Sequence, residues 1–307
     1  MDGSQPTARS LLSDIFGFEA FRPMQADIVD AVTAGEDVLA ILPTGGGKSL
    51  CYQLPALLRP GVTVVISPLI ALMRDQVRAL REVGVAAGAL TSGNTEDETN
   101  AVFEALQQGQ LKLLYMAPER LASSSMGRLL SQAGVMLIAV DEAHCVSQWG
   151  HDFRPDYLRI GALRRALDVP LAAFTATADS ETRVEIVERL FGETSPRTFL
   201  GGFDRPNIHL AFAPKNKPRE QILNFAAARK GQSGIVYTGT RAKTESLAAA
   251  LSEADHVALA YHGGMEPDTR REVERRFQTD DGLIVCATVA FGMGIDKPDI
   301  RWVAHAD

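Results

Sequence analysis

The sequence predicts an α/β protein with parallel sheets, in which strands alternate with helices and the alternation is run through twice to give two lobes. Three observations predict it. Short β-branched and apolar runs, such as Val62-Thr63-Val64-Val65-Ile66 and Val135-Met136-Leu137-Ile138-Ala139-Val140, recur between segments of helical apolar spacing. Runs that are apolar on both faces fit strands buried between layers of helix, as in a parallel sheet. Polar or glycine-rich clusters follow these runs, and ligands of such sheets bind at the carboxyl ends of the strands. Finally, Gly201-Gly202-Phe203-Asp204-Arg205-Pro206-Asn207 separates the two rounds of alternation and suits a hinge, which sets the expected lobes at 1–203 and 204–307.

Composition narrows the function classes. The 307 residues suffice for about two domains, and 46% hydrophobic with 22% charged residues is ordinary for a soluble globular chain. No apolar run approaches the roughly 20 residues needed to span a bilayer, and Met1-Asp2-Gly3-Ser4-Gln5-Pro6 lacks the basic-then-apolar pattern of a secretory signal. Cys51, Cys145 and Cys286 are widely spaced, which argues against a disulfide framework and a zinc site and fits a reducing cytoplasm. A net charge of −7 gives no global attraction to nucleic acid, so such binding must rest on local patches.

Taken in order, Leu11-Leu12-Ser13-Asp14-Ile15-Phe16 has helical spacing that Gly17 can close. Phe18-Glu19-Ala20-Phe21-Arg22-Pro23-Met24-Gln25 then leads into a helix running to about 32. The Gln25 amide can donate to and accept from adenine, and Arg22 or Phe18 can stack on the ring. On spacing alone, an amphipathic helix with a surface Gln is the favoured alternative.

A strand over 37–41 precedes Leu42-Pro43-Thr44-Gly45-Gly46-Gly47-Lys48-Ser49. Strand, glycine-rich turn and helix start make a nest of N–H groups that can wrap a polyphosphate. Thr44, Gly45, Gly46 and Gly47 form the cradle, Lys48 would reach the β- and γ-phosphates, and the Ser49 hydroxyl would ligate Mg²⁺. The strict pattern G-x-x-x-x-G-K-[ST] wants glycine where Leu42 stands, so a glycine-rich turn beside a surface Lys is the alternative. The following helix is expected to be interrupted or ended by Pro55.

Further strands are predicted over 62–66, 111–116, 135–140 and 171–174, with Ser67-Pro68 and Ala117-Pro118-Glu119-Arg120 closing the first two. Asp141-Glu142-Ala143-His144 comes straight off the fully apolar third run. Asp141 would hold Mg²⁺ through water and Glu142 would orient and polarise the attacking water. An acidic pair at a helix start is the alternative for these two alone. Together with the glycine loop, they predict a nucleoside-triphosphate hydrolase that uses ATP-type chemistry. His144 has no partner at zinc spacing and is expected to touch a neighbouring motif. Then Gln148, Trp149, His151, Phe153, Arg154 and Tyr157 crowd a stretch broken by Gly150 and Pro155. Such rings either anchor the loop on the core or stack on bases of a single strand, with Arg154 on phosphate. Thr175 and Thr177 end the next strand and can hydrogen-bond the 141–144 turn or be plain strand-end threonines.

At this point the sequence resembles the RecQ family of superfamily 2 DNA helicases. The residues that carry the resemblance are Phe16-Gly17-Phe18 with Phe21-Arg22 and Gln25, the 44–49 loop, Ser67-Pro68-Leu69 with Asp75-Gln76, the 141–144 acids, the 147–154 aromatic loop and 174–178. Phosphate loops of that superfamily often lack the first glycine. The resemblance implies two RecA-like lobes that unwind DNA 3′→5′ with ATP and Mg²⁺ in repair and recombination, and adenine bound by Arg22 and Gln25. It implies DNA repair proteins as partners and single-stranded or partly duplex DNA as substrate, with a cytoplasmic, nucleoid-associated location.

The second lobe repeats the pattern, with strands over 233–237, 257–261 and 283–287. By resemblance, Arg241, His262 and Thr288 are candidates for contact with the DNA backbone, and Gly292 and Asp296 for closing on the nucleotide; strand-end turns and caps are the alternative. Thr238-Gly239 stands where the family often carries a cysteine. No Q-x-x-G-R-x-G-R run occurs in the 307 residues. The resemblance therefore implies a second lobe incomplete at its C-terminal end, with ATP–Mg²⁺ and single-strand binding but feeble turnover. A non-catalytic nucleotide- and strand-binding module and a superfamily 2 RNA helicase are the competing readings.

Overall fold

A computed structural model describes residues 6–148, 153–202, 207–288, 291 and 297–306. The chain divides into two compact units, Met1–Ile208 and His209–Asp307.

In the first unit the elements run α1 (Ala8–Asp14), α2 (Gln25–Ala34), β1 (Val38–Ile41), α3 (Leu50–Leu58), β2 (Val62–Ile66), α4 (Ile70–Glu82), β3 (Ala87–Leu90), α5 (Glu96–Gln107) and β4 (Leu113–Met116). They continue through α6 (Ser124–Gln132), β5 (Val135–Val140), α7 (Leu158–Leu167), β6 (Leu171–Thr175), α8 (Ser180–Ile186) and β7 (Arg197–Leu200). The strands form one seven-stranded sheet in the order β3-β4-β2-β5-β6-β1-β7, every pair parallel. Strands β1, β2, β4 and β6 are buried at every residue because helices cover both faces. Two cores result, one on each face: Val64, Ile66, Ile138 and Val140 point into one, and Val65, Leu137, Ala139 and Phe174 into the other.

In this sheet the two strands that the sequence did not announce are the edges, β3 and β7. β3 reads Ala-Gly-Ala-Leu, without β-branched residues; a Cβ on Gly88 would stand 3.2 Å from Val102 Cγ1 of α5, so the small residue admits the covering helix. The expected break at Pro55 does not occur. Helix α3 carries Pro55 in its interior and ends three residues later, at Leu58. Six successive residues, Cys51 to Ala56, are buried there, and that tertiary packing outweighs the loss of one helical hydrogen bond.

The second unit holds α9 (Pro218–Ala227), β8 (Ser233–Tyr237), α10 (Arg241–Glu253), β9 (Ala258–Tyr261), α11 (Pro267–Thr279), β10 (Ile284–Ala287) and β11 (Ile300–His305). Its four strands are parallel in the order β11-β8-β10-β9. Helices α9 and α10 pack on one face around Trp302 and Val236, while Phe277 and Phe291 fill the other. Among the described residues no helix is long and apolar enough to cross a membrane.

Candidate nucleotide and nucleic-acid site

The 44–49 loop leaves the carboxyl end of β1, inside the sheet. Leu42 N–H donates to Thr175 O at 3.0 Å, which extends the ladder one residue past β1, and the Leu42 side chain is buried in the core. An apolar residue therefore serves where the strict motif has glycine: the position belongs to the strand, not to the cradle. The turn itself needs its glycines. Gly45 and Gly47 have φ of +80° and +76°, and a Cβ on Gly46 would lie 2.8 Å from Pro43 O.

Gln25 is not a surface residue. It is 2% exposed, its Nε2 donates to Gly46 O and Gly47 O at 3.2 and 3.1 Å, and its Oε1 accepts from Arg22 N at 2.7 Å. The amphipathic-helix alternative missed this because Met24, with φ of +67°, turns the helix start toward the loop. Arg22 is exposed and Phe18 is 48% exposed, so their faces are open to a flat ring while the Gln25 amide clasps the phosphate loop. Cys51, the second residue of α3, contacts Gly47 O, and burial pushes its thiol up to about 12.

Asp141 and Glu142 stand at the end of β5. Asp141 is 6% exposed; its Oδ2 accepts from Ser67 Oγ at 3.3 Å and its Oδ1 from Glu142 N at 3.0 Å. Burial, and then the Glu142 carboxylate, raise its carboxyl to about 6 despite the opposing pull of Lys48. Glu142 is forced into the left-handed region at φ +48°, which turns its carboxylate to His144 Nδ1 at 3.3 Å. Burial works to raise its carboxyl too, but His144 and Lys48 outweigh it and hold it low. The Lys48 ammonium pulls on both acids, and Thr175, whose carbonyl takes the Leu42 N–H, stands between the base of the loop and the acidic turn.

His144 Nδ1 also meets Thr175 Oγ1 at 2.8 Å, the contact expected of it with a neighbouring motif. Thr175 Oγ1 bonds the Thr177 backbone, so the first of the two strand-end threonines takes the turn and the second caps it.

From the aromatic-rich stretch, Trp149 and His151 lie outside the described residues, as do Gly292 and Asp296 of the second unit. The flanks are pinned. Gln148 is exposed, and its N–H and the Ser147 hydroxyl donate to Glu185 Oε2 at 3.1 and 2.7 Å. Arg154 Nη1 donates to Pro68 O at 3.2 Å, and Phe153 is half-buried. Tyr157 is fully buried and donates to Asp141 O at 2.9 Å, so of the three rings it is an anchor to the acidic turn.

In the second unit, Arg241 is exposed at the start of α10, with its guanidinium over Gly264. His262 is 4% exposed; Nδ1 accepts from Gly264 N at 3.2 Å and Nε2 faces Glu245 at 3.0 Å, so both ring nitrogens organise the turn after β9. Thr288 follows β10 and accepts from Phe291 N at its carbonyl. Thr238, at the position where a cysteine is common, bonds Thr244 Oγ1 at 2.7 Å and is closed inside.

One pocket escaped the sequence reading. Thr91, Ser92, Asn94, Glu119 and Arg120 line it at the carboxyl ends of β3 and β4, and Arg120 Nε is buried there without a partner. Its signal, Pro118-Glu119-Arg120 after a strand, was visible, but its partner strand β3 was not.

The donor set fits magnesium. A hydroxyl and a carboxylate beside a phosphate cradle supply the one or two protein oxygens this hard cation takes, with phosphate and water filling the rest. Among the described residues no cluster of three or more His, Cys, Asp or Glu competes for a metal.

Residues 22–186 match the DEAD/DEAH box helicase family, and residues 215–307 match the helicase conserved C-terminal domain. The ATP-dependent DNA helicase RecQ of Haemophilus influenzae is 47% identical over 304 residues, covering 99% of this chain and 49% of that protein. The chain belongs to the RecQ family of DEAD/DEAH box helicases. A second RecQ, from Bacillus subtilis, is 43% identical over 97% of this chain and 51% of its own length, so the chain spans about half the length of these relatives. Among solved structures, the helicase MrfA bound to DNA and AMPPNP superposes with a TM-score of 0.78 at 20% identity, over 100% of this chain and 47% of that one. The Saccharomyces cerevisiae Dbp5 complex with RNA and ADP BeF3 gives 0.75 at 18% identity, over 97% of this chain and 78% of that one. At those identities the likeness establishes the fold: two RecA-like lobes with parallel sheets, as the RecQ resemblance implied.

Proposed function

We propose that the chain is the ATP-driven motor core of a DNA helicase that moves 3′→5′ along single-stranded DNA and unwinds duplex in repair and recombination. The observation that carries it is the junction at Thr175, whose carbonyl holds the base of the Lys48 loop and whose hydroxyl holds His144 of the Asp141–Glu142 turn, at the carboxyl end of the sheet. Lys48 would neutralise the terminal phosphates, while Ser49 and Asp141 would hold magnesium. The bound ion would supply charge neutralisation for the transferred phosphoryl oxygens. Glu142, held low and so ionised at neutral pH, would orient and polarise the attacking water more than accept its proton outright. Phe18 and Arg22 would cover the adenine, and Gln25 would report its presence to the loop through Gly46 and Gly47.

Gln148, Phe153, Arg154, Arg241 and Thr288 would meet the strand, with Trp149 and His151 between the pinned flanks and the His262 turn supporting Arg241. The 91–94 and 119–120 pocket, where Arg120 Nε has no partner among the described residues, suits a backbone phosphate at the carboxyl ends of β3 and β4. Gly292 and Asp296 would close on the nucleotide. A second reading for the 307 residues is nucleotide and strand binding with weak turnover.

Phosphate release with and without single-stranded DNA tests both. We expect measurable ATP–Mg²⁺ binding, DNA preferred to RNA, and at least a hundredfold loss of triphosphate affinity or turnover in Lys48→Ala (about 3 kcal/mol). Wild-type behaviour of Lys48→Ala would remove the motor reading, and robust DNA-stimulated turnover by this chain would remove the second.

A further inference from the structure

Lys48, Asp141 and Glu142 leave unexplained a polar cluster behind Ser49. Gln76, midway along α4, donates from Nε2 to Ser49 Oγ at 2.8 Å. Its Oε1 faces three donors: Tyr115 OH at 2.9 Å, and Tyr52 OH and Gln53 Nε2 at 3.1 Å each. Gln53 Nε2 also reaches Tyr115 OH at 3.0 Å. Both tyrosines are fully buried, and burial raises their phenols, so they stay neutral donors. A carboxamide enclosed this way cannot turn over without setting its own NH₂ against that of Gln53. Its Nε2 is therefore held toward Ser49, where it occupies one lone pair of the hydroxyl and leaves the second for another partner.

We infer that Gln76 is a positioning residue: it fixes the Ser49 hydroxyl so that the free lone pair faces the magnesium of a bound nucleotide. Magnesium tolerates little departure from octahedral geometry, so a hydroxyl free to rotate is a poorer ligand than one held from behind. Gln53 and Tyr115, from α3 and β4, act on Ser49 through Gln76, while Tyr52, from α3, hydrogen-bonds both Gln76 Oε1 and the Ser49 hydroxyl. The inference rests on the nucleotide reading above.

The test is the affinity of the 307-residue chain for a fluorescent ATP analogue, measured in magnesium and in EDTA. The readout is the ratio of the two. Gln76→Ala should lower that ratio about tenfold and leave the EDTA affinity unchanged. Ser49→Ala should lower it as far, and Gln76→Ala should add nothing on that background. Tyr115→Phe, which keeps the ring and removes one donor from Gln76 Oε1, should lower the ratio about two- to threefold and serves if Gln76→Ala does not fold. Equal losses in magnesium and EDTA, an unchanged ratio in the folded variants, or additive losses in the double variant overturn the inference. If the wild-type chain binds the analogue under neither condition, the nucleotide reading falls, and this inference with it.

Discussion

Ser49, after β1, and Asp141, after β5, are the two protein groups that fit magnesium, and their surroundings differ in kind. Ser49 is held from behind by neutral groups: one carboxamide with three neutral donors gathered on its oxygen. Asp141 is held by burial against a second carboxylate, with Ser67 Oγ and Glu142 N as its donors among the described residues. The neutral half is complete in the free protein. The charged half is left needing a cation, which makes it the less stable and the more responsive of the two. Pre-organisation and stored electrostatic stress thus occupy opposite sides of one site.

Substitutions should separate the halves. The largest effect is expected at Asp141. Its folded value of about 6 lies above the ordinary 3.8, so the folded protein favours the neutral acid. That preference stabilises fully below about pH 3.8, fades as pH rises through about 6, and leaves a buried charge costing about 3 kcal/mol by pH 8. Asp141→Asn should therefore raise the nucleotide-free unfolding free energy at pH 8 and leave it nearly unchanged below pH 4; denaturant titration at both pH values measures the difference. An equal gain at both would mean that charge is not the cause.

Gly47→Ala comes next. With φ at +76° and the new Cβ placed 2.2 Å from Gln25 Nε2, it should cost about 2 kcal/mol and weaken nucleotide binding in magnesium and EDTA alike, because it displaces the cradle shared by both halves. The smallest effect belongs to the neutral half. Gln53→Met removes one donor from the Gln76 cluster and should cost about 1 kcal/mol, with the same value at pH 5 and pH 8. A clear pH dependence there would show that the network is not neutral.

Much of this was legible in sequence, and unevenly. The β-branched strands 62–66 and 135–140, the glycine loop and the acidic pair were readable because their chemistry and their local pattern coincide. The edge strands β3 and β7 were not, since Ala-Gly-Ala-Leu and Arg-Thr-Phe-Leu carry no alternation and owe their form to a neighbour strand and, for β3, to a covering helix. Pro55 misled because a local rule was applied to a helix held by its buried faces. Gln25 and Gln76 were both seen as part of a family pattern, yet their partners lie 21–22 and 23–39 residues away in sequence. An amide declares its chemistry only through what surrounds it, and no spacing rule supplies that. Asp141 shows the same limit in another form: the acid was evident, but the burial that raises its carboxyl was not.

Cys51, Cys145 and Cys286 are all buried, and Cys51 and Cys286 are pushed up to about 12. Almost no thiolate is present at neutral pH at these two positions, even one turn from Lys48. Alkylating reagents should thus pass over the folded chain and label it only as it opens. Probe cysteines placed on its surface can carry dyes without removal of the native three, and the slow labelling of those three becomes an internal clock for unfolding.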